Sequence, residues 1–168
     1  MKIYVLKAHG ERGKTTTLKL LLCKLIDKYG VNSIISVQNK QLYIGTVKKE
    51  INQDKIDRRN KINNPINNIS VALNINGKIV CIYSAGDNEY ELKKATDFFF
   101  KTKCDVAFGA VRSKGKTIAE LEKFKNKVNA SVEYINKAMV LNANGFKNFD
   151  DYIDNLNDYQ ADELLKKV

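Results

Sequence analysis

Residues 1–30 pass through three patterns in an order that strongly limits the folds open to this chain. The opening KIYVLKA alternates and then becomes small, as a short β-strand does. A polar loop with two glycines follows, and then TTLKLLLCKLIDKYG carries leucine and isoleucine at helical spacing up to Gly30. A strand, a glycine loop and an apolar helix in that order predict the start of an α/β fold.

The rest of the chain continues to alternate between strand and helix patterns. Two apolar runs separated by Asn76-Gly77 predict a β-hairpin, because both central residues of a type I′ turn need positive φ. The other predicted elements are strands at NSIISVQ, CDVAFGAV and SVEYINKAMV, and helices at NEYELKKATDFFFKTK, TIAELEKFKNKV and FKNFDDYIDNLNDYQADELLKKV, the last either continuous or broken in the middle. This order predicts a mostly parallel sheet, covered by helices on both faces, with one antiparallel hairpin.

One segment, residues 48–68, is polar and asparagine-rich and contains the only proline. It is predicted to be a mobile lid, with at most one helical turn, or a disordered surface insertion, and a short strand is predicted at QLYIGTV before it. The paired arginines of DKIDRRNK suit phosphoryl transfer, and Asp57 is a candidate contact for a substrate hydroxyl. A solvated charge run explains the same residues.

Length and cysteine usage bound the class of protein. A chain of 168 residues suits a single domain over residues 1–168, and without a run of about eighteen apolar residues no membrane partner is expected. The cysteines Cys23, Cys81 and Cys104 are scattered, odd in number and set in apolar surroundings. They predict buried thiols in a reducing compartment and hence a cytoplasmic protein.

The formal net charge of +10 is concentrated before Phe146, because carboxylates outnumber lysines from there to the C-terminus. A positive surface attracts acidic partners such as nucleotide phosphates or nucleic acid. Lysine-rich surfaces are common, so the charge alone is weak support for a nucleic-acid partner.

The segment from Ala8 to Thr15 reads AHGERGKT. It resembles the Walker A motif of the P-loop NTPase superfamily, G-x-x-x-x-G-K-[ST], with Ala8 in place of the first glycine. The resemblance implies a three-layer P-loop sandwich that binds Mg²⁺ and a nucleoside triphosphate, with ATP as the expected nucleotide. The predicted nucleotide-binding residues are Ala8, Gly10, Gly13, Lys14, Thr15 and Thr16.

The physical chemistry of this loop suits phosphate. Gly10 and Gly13 permit backbone conformations that aim successive N–H groups at an anion, and the positive end of the next helix favours phosphate at the same place. The resemblance implies that Lys14 reaches the β- and γ-phosphates and that the Thr15 hydroxyl binds Mg²⁺. A glycine turn capped by threonine is the structural alternative.

A P-loop also needs a carboxylate for Mg²⁺, normally at the end of an apolar strand. KIVCIYSAGD places Asp87 there, and Asp87 is the predicted catalytic carboxylate and second metal ligand. The same residue is a candidate N-cap for the helix that starts near Glu89. Asp105 is a weaker candidate, because it opens its strand.

Residues Ala110–Thr117, AVRSKGKT, match the same relaxed motif between a strand and a helix. This loop ranks second because its helix has a surface-like amphipathic pattern and because it follows Asp87, the reverse of the usual P-loop order. It is predicted to be a basic loop at a strand end, with Arg112 as a catalytic residue. A solvated turn with Thr117 as helix cap is the alternative.

Two classes of function fit these features. The first is a small kinase that transfers a phosphoryl group from ATP to a nucleotide or other small acceptor. The alternative is an ATPase or GTPase switch, or a regulatory accessory protein of a phage or mobile element, acting on a protein or nucleic acid. The chain lacks the extra lysine of partition ATPases and the guanine-specifying NKxD motif. The sequence leaves open whether the protein is an enzyme.

Overall fold

The computed structural model describes residues 1–9, 13–37, 44–59, 67–138 and 149–168. Strands and helices alternate along this part of the chain, as the sequence pattern predicts. In chain order they are β1 (Lys2–Ala8), α1 (Lys14–Tyr29), a short 3-10 turn (Val31–Ser33), β2 (Ile34–Val37), α2 (Ile44–Arg59), β3 (Ser70–Ile75), β4 (Lys78–Tyr83), α3 (Glu89–Lys101), β5 (Val106–Arg112), α4 (Thr117–Val128), β6 (Ser131–Asn136) and α5 (Phe149–Leu165).

The strands form one sheet in the order β2-β3-β4-β5-β1-β6. β5 and β6 pair in parallel with β1, and β4 pairs in parallel with β5. β3 is antiparallel to both of its neighbours, β2 and β4, so it alone among the described strands runs against the others. The predicted α/β class with a mostly parallel sheet is confirmed.

Helices cover both faces of the sheet, because side chains alternate along each strand. In β1, Ile3 and Val5 pack with α3 and α4, whereas Leu6 packs with α1 and α5 on the opposite face. The buried apolar side chains Val47 and Ile51 of α2 belong to the same core as those of α1. The result is three layers, with the sheet in the middle.

The helix α1 is deeply buried, with ten of its sixteen residues in the interior. Two of these, Thr17 and Lys19, are polar and fully enclosed. The Thr17 hydroxyl bonds to Asn157 of α5, and the Lys19 ammonium forms an ion pair with Glu50 of α2. The helix ends at Gly30, as predicted, where a φ of 85° stops the helical path.

The hairpin predicted from Asn76-Gly77 is confirmed, and it joins β3 to β4. Both residues have positive φ, 53° and 82°, as a type I′ turn requires. The Gly77 N–H donates to Asn74 Oδ1 at 3.0 Å and steadies the turn. The hairpin thereby carries β4 into the sheet beside β5.

The loop expected at residues 48–68 is wrong over its first part, because α2 extends through residues 44–59. The short strand expected at QLYIGTV is also wrong where it is described, since Ile44–Val47 open this helix. Val47 and Ile51 are one helical turn apart, and both are buried in the core with α1. Among the described side chains of α2 only these two join that core, so the local pattern was weak and packing against α1 stabilises the helix. Residues 60–66 lie outside the described residues.

The expectation of three reduced thiols is wrong for two cysteines. Cys81 in β4 and Cys104 just before β5 form a disulfide, with their Cα atoms 6.1 Å apart. Cys23 is free and buried. Disulfides are rare in reducing compartments, so the cysteines lend no support to the predicted cytoplasmic location.

The last described segment, Phe149–Leu165, is a single continuous helix, α5. It packs against α1 through Ala161 and Leu164, which belong to the core on that side of the sheet. Within the described ranges, no helix is long and apolar enough to cross a membrane.

Candidate functional site

The candidate site lies at the edge of the sheet where β1, β4 and β5 end. Parallel strands bring their C-terminal loops to one edge, which is where ligands bind in open α/β sheets. Ala8, the last residue of β1, pairs with Arg112, the last residue of β5. The Ser113 N–H donates to the Ala8 carbonyl oxygen at 2.9 Å, so the two loops start side by side.

Gly13 shapes the start of α1. Its φ of 72° is in the left-handed region that glycine enters readily, and its carbonyl oxygen accepts the first helical bond from the Thr17 N–H at 2.9 Å. The first turn of α1 contains no acidic residue, so nothing there offsets the positive end of the helix. This helix end therefore suits an anion. The predicted contact Gly10 lies outside the described residues.

Lys14, the first residue of α1, is buried with only 6% of its surface exposed. Its Nζ atom lies 3.3 Å from the His9 carbonyl oxygen and 3.3 Å from Asp87 Oδ1. Burial and the helix N-terminus both disfavour a cation, so an ammonium group at this position needs an anionic partner. Asp87 is that partner in this structure.

Asp87 connects the β1, β4 and β5 loops. Its Oδ1 atom lies 3.3 Å from Lys14 Nζ and 3.4 Å from Arg112 Nε. The Asp87 and Arg112 side chains are 53% and 50% exposed, so both can reach solvent and a ligand. Two cations thus share one carboxylate, and this cluster carries a net positive charge.

The alternative explanation of Asp87 as the cap of α3 is wrong. The N-cap is Asn88, whose side-chain oxygen accepts a hydrogen bond from the Glu91 N–H at 2.9 Å. The Asp87 carboxylate therefore remains directed to Lys14. A β-carbon at Gly86 would overlap the carbonyl oxygen of Ala110, which explains why glycine stands where the β4 loop passes β5.

The predicted metal ligands, Thr15 and Asp87, both offer oxygen atoms, which Mg²⁺ prefers. Thr15 is partly exposed in the first turn of α1, and the bond to Lys14 holds Asp87 near the same helix end. Among the described residues there is no group of three His, Cys, Asp or Glu side chains that could hold a metal alone. A Mg²⁺ ion bound through one carboxylate, one hydroxyl, phosphate and water needs no such group.

The second GKT-like loop differs from the first in its geometry. Lys116 is exposed where Lys14 is buried, and only two of the twelve residues of α4 are buried. The N-cap of α4 is Lys116, so Thr117 is not the expected cap, and its hydroxyl instead donates to the Arg112 carbonyl oxygen at 3.4 Å. The second loop therefore matches the motif in sequence but not in geometry. Arg112 is the residue through which this loop contacts Asp87 of the first site.

Two further acidic candidates, Asp105 and Asp57, make hydrogen bonds away from the candidate site. Asp105 accepts a hydrogen bond from the Ile79 N–H at 2.8 Å, at the opposite end of β5. Asp57 is 6% exposed and accepts a bond from Gln53 within α2, so it is not placed to contact a substrate hydroxyl. The side chains of the paired arginines at 58 and 59 lie outside the described residues.

Sequence reasoning missed Asn157 of α5. Its side chain is 2% exposed, and its Oδ1 atom accepts a hydrogen bond from the Thr17 hydroxyl at 3.3 Å. A β-carbon at Gly13 would lie 2.8 Å from the same oxygen. No local pattern indicates this contact, because 140 positions separate Thr17 from Asn157 and only the packing of α5 on α1 joins them.

No family model, curated protein or solved structure matches this chain. The assignment of a function therefore depends on the geometry of the site.

Proposed function

We propose that this chain belongs to the P-loop NTPase superfamily and binds a Mg²⁺-bound nucleoside triphosphate, most simply ATP, at the start of α1. We propose further that it transfers the terminal phosphoryl group to a small acceptor. The observation that carries this proposal is the meeting of Lys14 and Arg112 on Asp87, from three separate loops at the carboxyl edge of the sheet.

The cations at this edge suit a triphosphate. Lys14 lies at the N-terminus of α1, so its ammonium group and the positive end of the helix favour an anion at the same place. Phosphate oxygens would replace Asp87 as the partner of Lys14. Arg112 is half exposed and can follow a phosphoryl group as it moves.

The residues present also fit a magnesium ion. Thr15 and Asp87 would hold it, and the bound ion would neutralise charge on the phosphate oxygens. This chain's own contribution to transfer is to position the triphosphate and to stabilise charge with Lys14 and Arg112. An acceptor oxygen forms a bond to the terminal phosphorus as the bond to the bridging oxygen breaks. The diphosphate leaves with that electron pair, and the acceptor hydroxyl loses its proton to water.

The test of binding is calorimetric titration with ATP and with GTP, each with Mg²⁺, for the wild type and Lys14→Ala. Lys116→Ala is the matched control, because it removes a lysine from the same G-K-T triplet in the second loop. We expect Lys14→Ala to lose binding and Lys116→Ala to keep it. Binding by neither nucleotide, or loss of binding only in Lys116→Ala, would overturn the proposal.

The test of phosphoryl transfer is formation of the diphosphate with and without candidate acceptors, namely nucleosides, nucleoside monophosphates and other small hydroxyl compounds. Acceptor-dependent turnover that Arg112→Ala slows supports the kinase. Hydrolysis without an acceptor, or binding without turnover, would replace it with the switch or regulatory class.

A further inference from the structure

Asn157 places a buried amide group beside the start of α1. The side chain belongs to α5 and is 2% exposed. Its Oδ1 atom accepts from the Thr17 hydroxyl at 3.3 Å, and a β-carbon at Gly13 would lie 2.8 Å from Oδ1 and 3.3 Å from Nδ2. The whole carboxamide thus faces the residue at which the candidate phosphate loop enters its helix.

The Nδ2 atom of Asn157 is buried without a hydrogen-bond partner in the described part of the chain. Buried donors are nearly always paired, because a donor removed from water without a new acceptor is destabilising. The Thr17 bond accounts for the oxygen of this side chain but leaves its N–H groups unused. Accepting the bond from Thr17 does not require a buried donor, so the N–H groups of Asn157 remain without a structural role in this contact.

Other contacts hold α5 against α1, so the amide is not needed for docking. Lys24 of α1 forms ion pairs with Asp158 and Asp162 of α5 at 3.1 and 2.8 Å. Ala161 and Leu164 of α5 are buried in the same core as α1. These contacts present Asn157 to Gly13 whether or not its donor is satisfied.

We propose that Asn157 is a positioning residue for the triphosphate, acting through Gly13 and Thr17. When phosphate binds, an oxygen atom of the site comes within hydrogen-bond distance of the Asn157 Nδ2 group, which donates to it. This bond holds the first turn of α1 in the anion-binding conformation. The C-terminal helix is then part of the nucleotide site. This inference rests on the proposed function, since it concerns the same ligand.

The main test compares Asn157→Leu with the wild type in two measurements. We expect the thermal midpoint without nucleotide to change little, because removal of the unpaired donor offsets loss of the bond from the Thr17 hydroxyl, while the Kd for Mg²⁺-ATP rises about tenfold or more. Asn155→Leu, at an exposed position of the same helix, is the matched control and should change neither value. Wild-type affinity in Asn157→Leu, or a parallel loss of stability and affinity, would overturn the positioning role.

A second variant covers the case in which Asn157→Leu does not fold. Asn157→Asp has nearly the same shape and keeps the acceptor for Thr17, but it replaces the N–H donor with oxygen. It should also bind Mg²⁺-ATP about tenfold more weakly, which exceeds the roughly threefold effect of one added negative charge, and a loss of threefold or less would refute the role.

Failure of this inference is distinguishable from failure of the proposed function. If the wild type does not bind ATP, or if Lys14→Ala binds it equally well, the proposed nucleotide site is wrong. If those two proteins behave as expected and only the Asn157 variants match the wild type, the nucleotide site stands and Asn157 is a packing residue.

Discussion

The absent side chain of Gly13 makes the space into which the carboxamide of Asn157 fits. A β-carbon at Gly13 would lie 2.8 Å from Asn157 Oδ1, closer than such atoms normally approach. The glycine of the loop is therefore constrained twice, by its positive φ and by a helix from the far end of the chain.

This double constraint predicts that Gly13→Ala is more damaging than Gly77→Ala. Both glycines have positive φ, 72° and 82°, but a β-carbon at Gly77 meets no atom within 4 Å. Gly77→Ala should lower the free energy of unfolding by about 1 kcal/mol from backbone strain alone. Gly13→Ala should cost more and weaken ATP binding as well, as measured by urea denaturation and calorimetry. Equal effects of the two substitutions would contradict the clash.

Asp87→Asn should distinguish two effects of the Asp87 carboxylate on ATP binding, namely its repulsion of the phosphates and its binding of Mg²⁺. Without Mg²⁺, the variant should bind ATP about threefold more tightly, because one negative charge near the phosphates is gone. With Mg²⁺, the gain in affinity that the ion gives the wild type should largely disappear. Titration in EDTA and in Mg²⁺ measures both, with Asp97→Asn, exposed on α3, as the control. An unchanged response to Mg²⁺ would exclude Asp87 as a metal ligand.

The ion pair between Lys19 and Glu50 predicts an asymmetric response to substitution. Lys19 is fully buried, whereas Glu50 is 30% exposed. Glu50→Gln leaves a buried ammonium without its carboxylate and should lower the free energy of unfolding by roughly 2 kcal/mol. Lys19→Met removes the buried charge and keeps most of the volume, so its cost should be below about 1 kcal/mol. Urea denaturation at pH 7 tests the order, and the reverse order would refute this account.

The same pair predicts a dependence of stability on acid. Burial acts to raise the pKa of Glu50, but hydrogen bonds from Lys19 and Asn67 outweigh it, and the pKa lies below its ordinary value of 4.5. A carboxyl group with a lowered pKa in the folded state stabilises the protein above its unfolded pKa. That contribution is lost as the pH falls through the folded pKa. Between about pH 5 and 3, the wild type should therefore lose more stability than Glu50→Gln. Parallel losses would contradict the shift.

Thiol counting tests the disulfide between Cys81 and Cys104. The unfolded, unreduced protein should show one reactive thiol, that of Cys23, and the reduced protein should show three. In the folded protein Cys23 should react slowly, because burial raises its pKa to about 11 and keeps the thiol protonated. Three reactive thiols in the unreduced protein would show that the bond does not form.

Much of the fold could be predicted from local patterns. The hairpin at Asn76-Gly77 and the helix stop at Gly30 follow from the few residues that tolerate positive φ, so a short window is enough to find them. The class of the fold follows from the alternation of strands and helices. The helix α2 could not be predicted, because Val47 and Ile51 are the only described side chains of this helix in the core with α1, and most of its sequence is polar and resembles a loop.

The residues of the candidate site could also be predicted from the sequence, but their arrangement could not. Lys14, Asp87 and Arg112 could each be selected from the sequence, because each stands at the end of an apolar strand or the start of a helix. Their meeting at one carboxylate depends on the parallel pairing of β1, β5 and β4, which the order of the elements suggests but does not specify.

The sequence by itself determined which loops are rich in glycine and positive charge and which strands precede them, because those features depend on neighbours along the chain. Only the tertiary structure decided that Cys81 joins Cys104 and that Asn157 lies against Gly13. These relationships arise from packing between elements distant in sequence, where burial and hydrogen bonding select partners that no local pattern can identify.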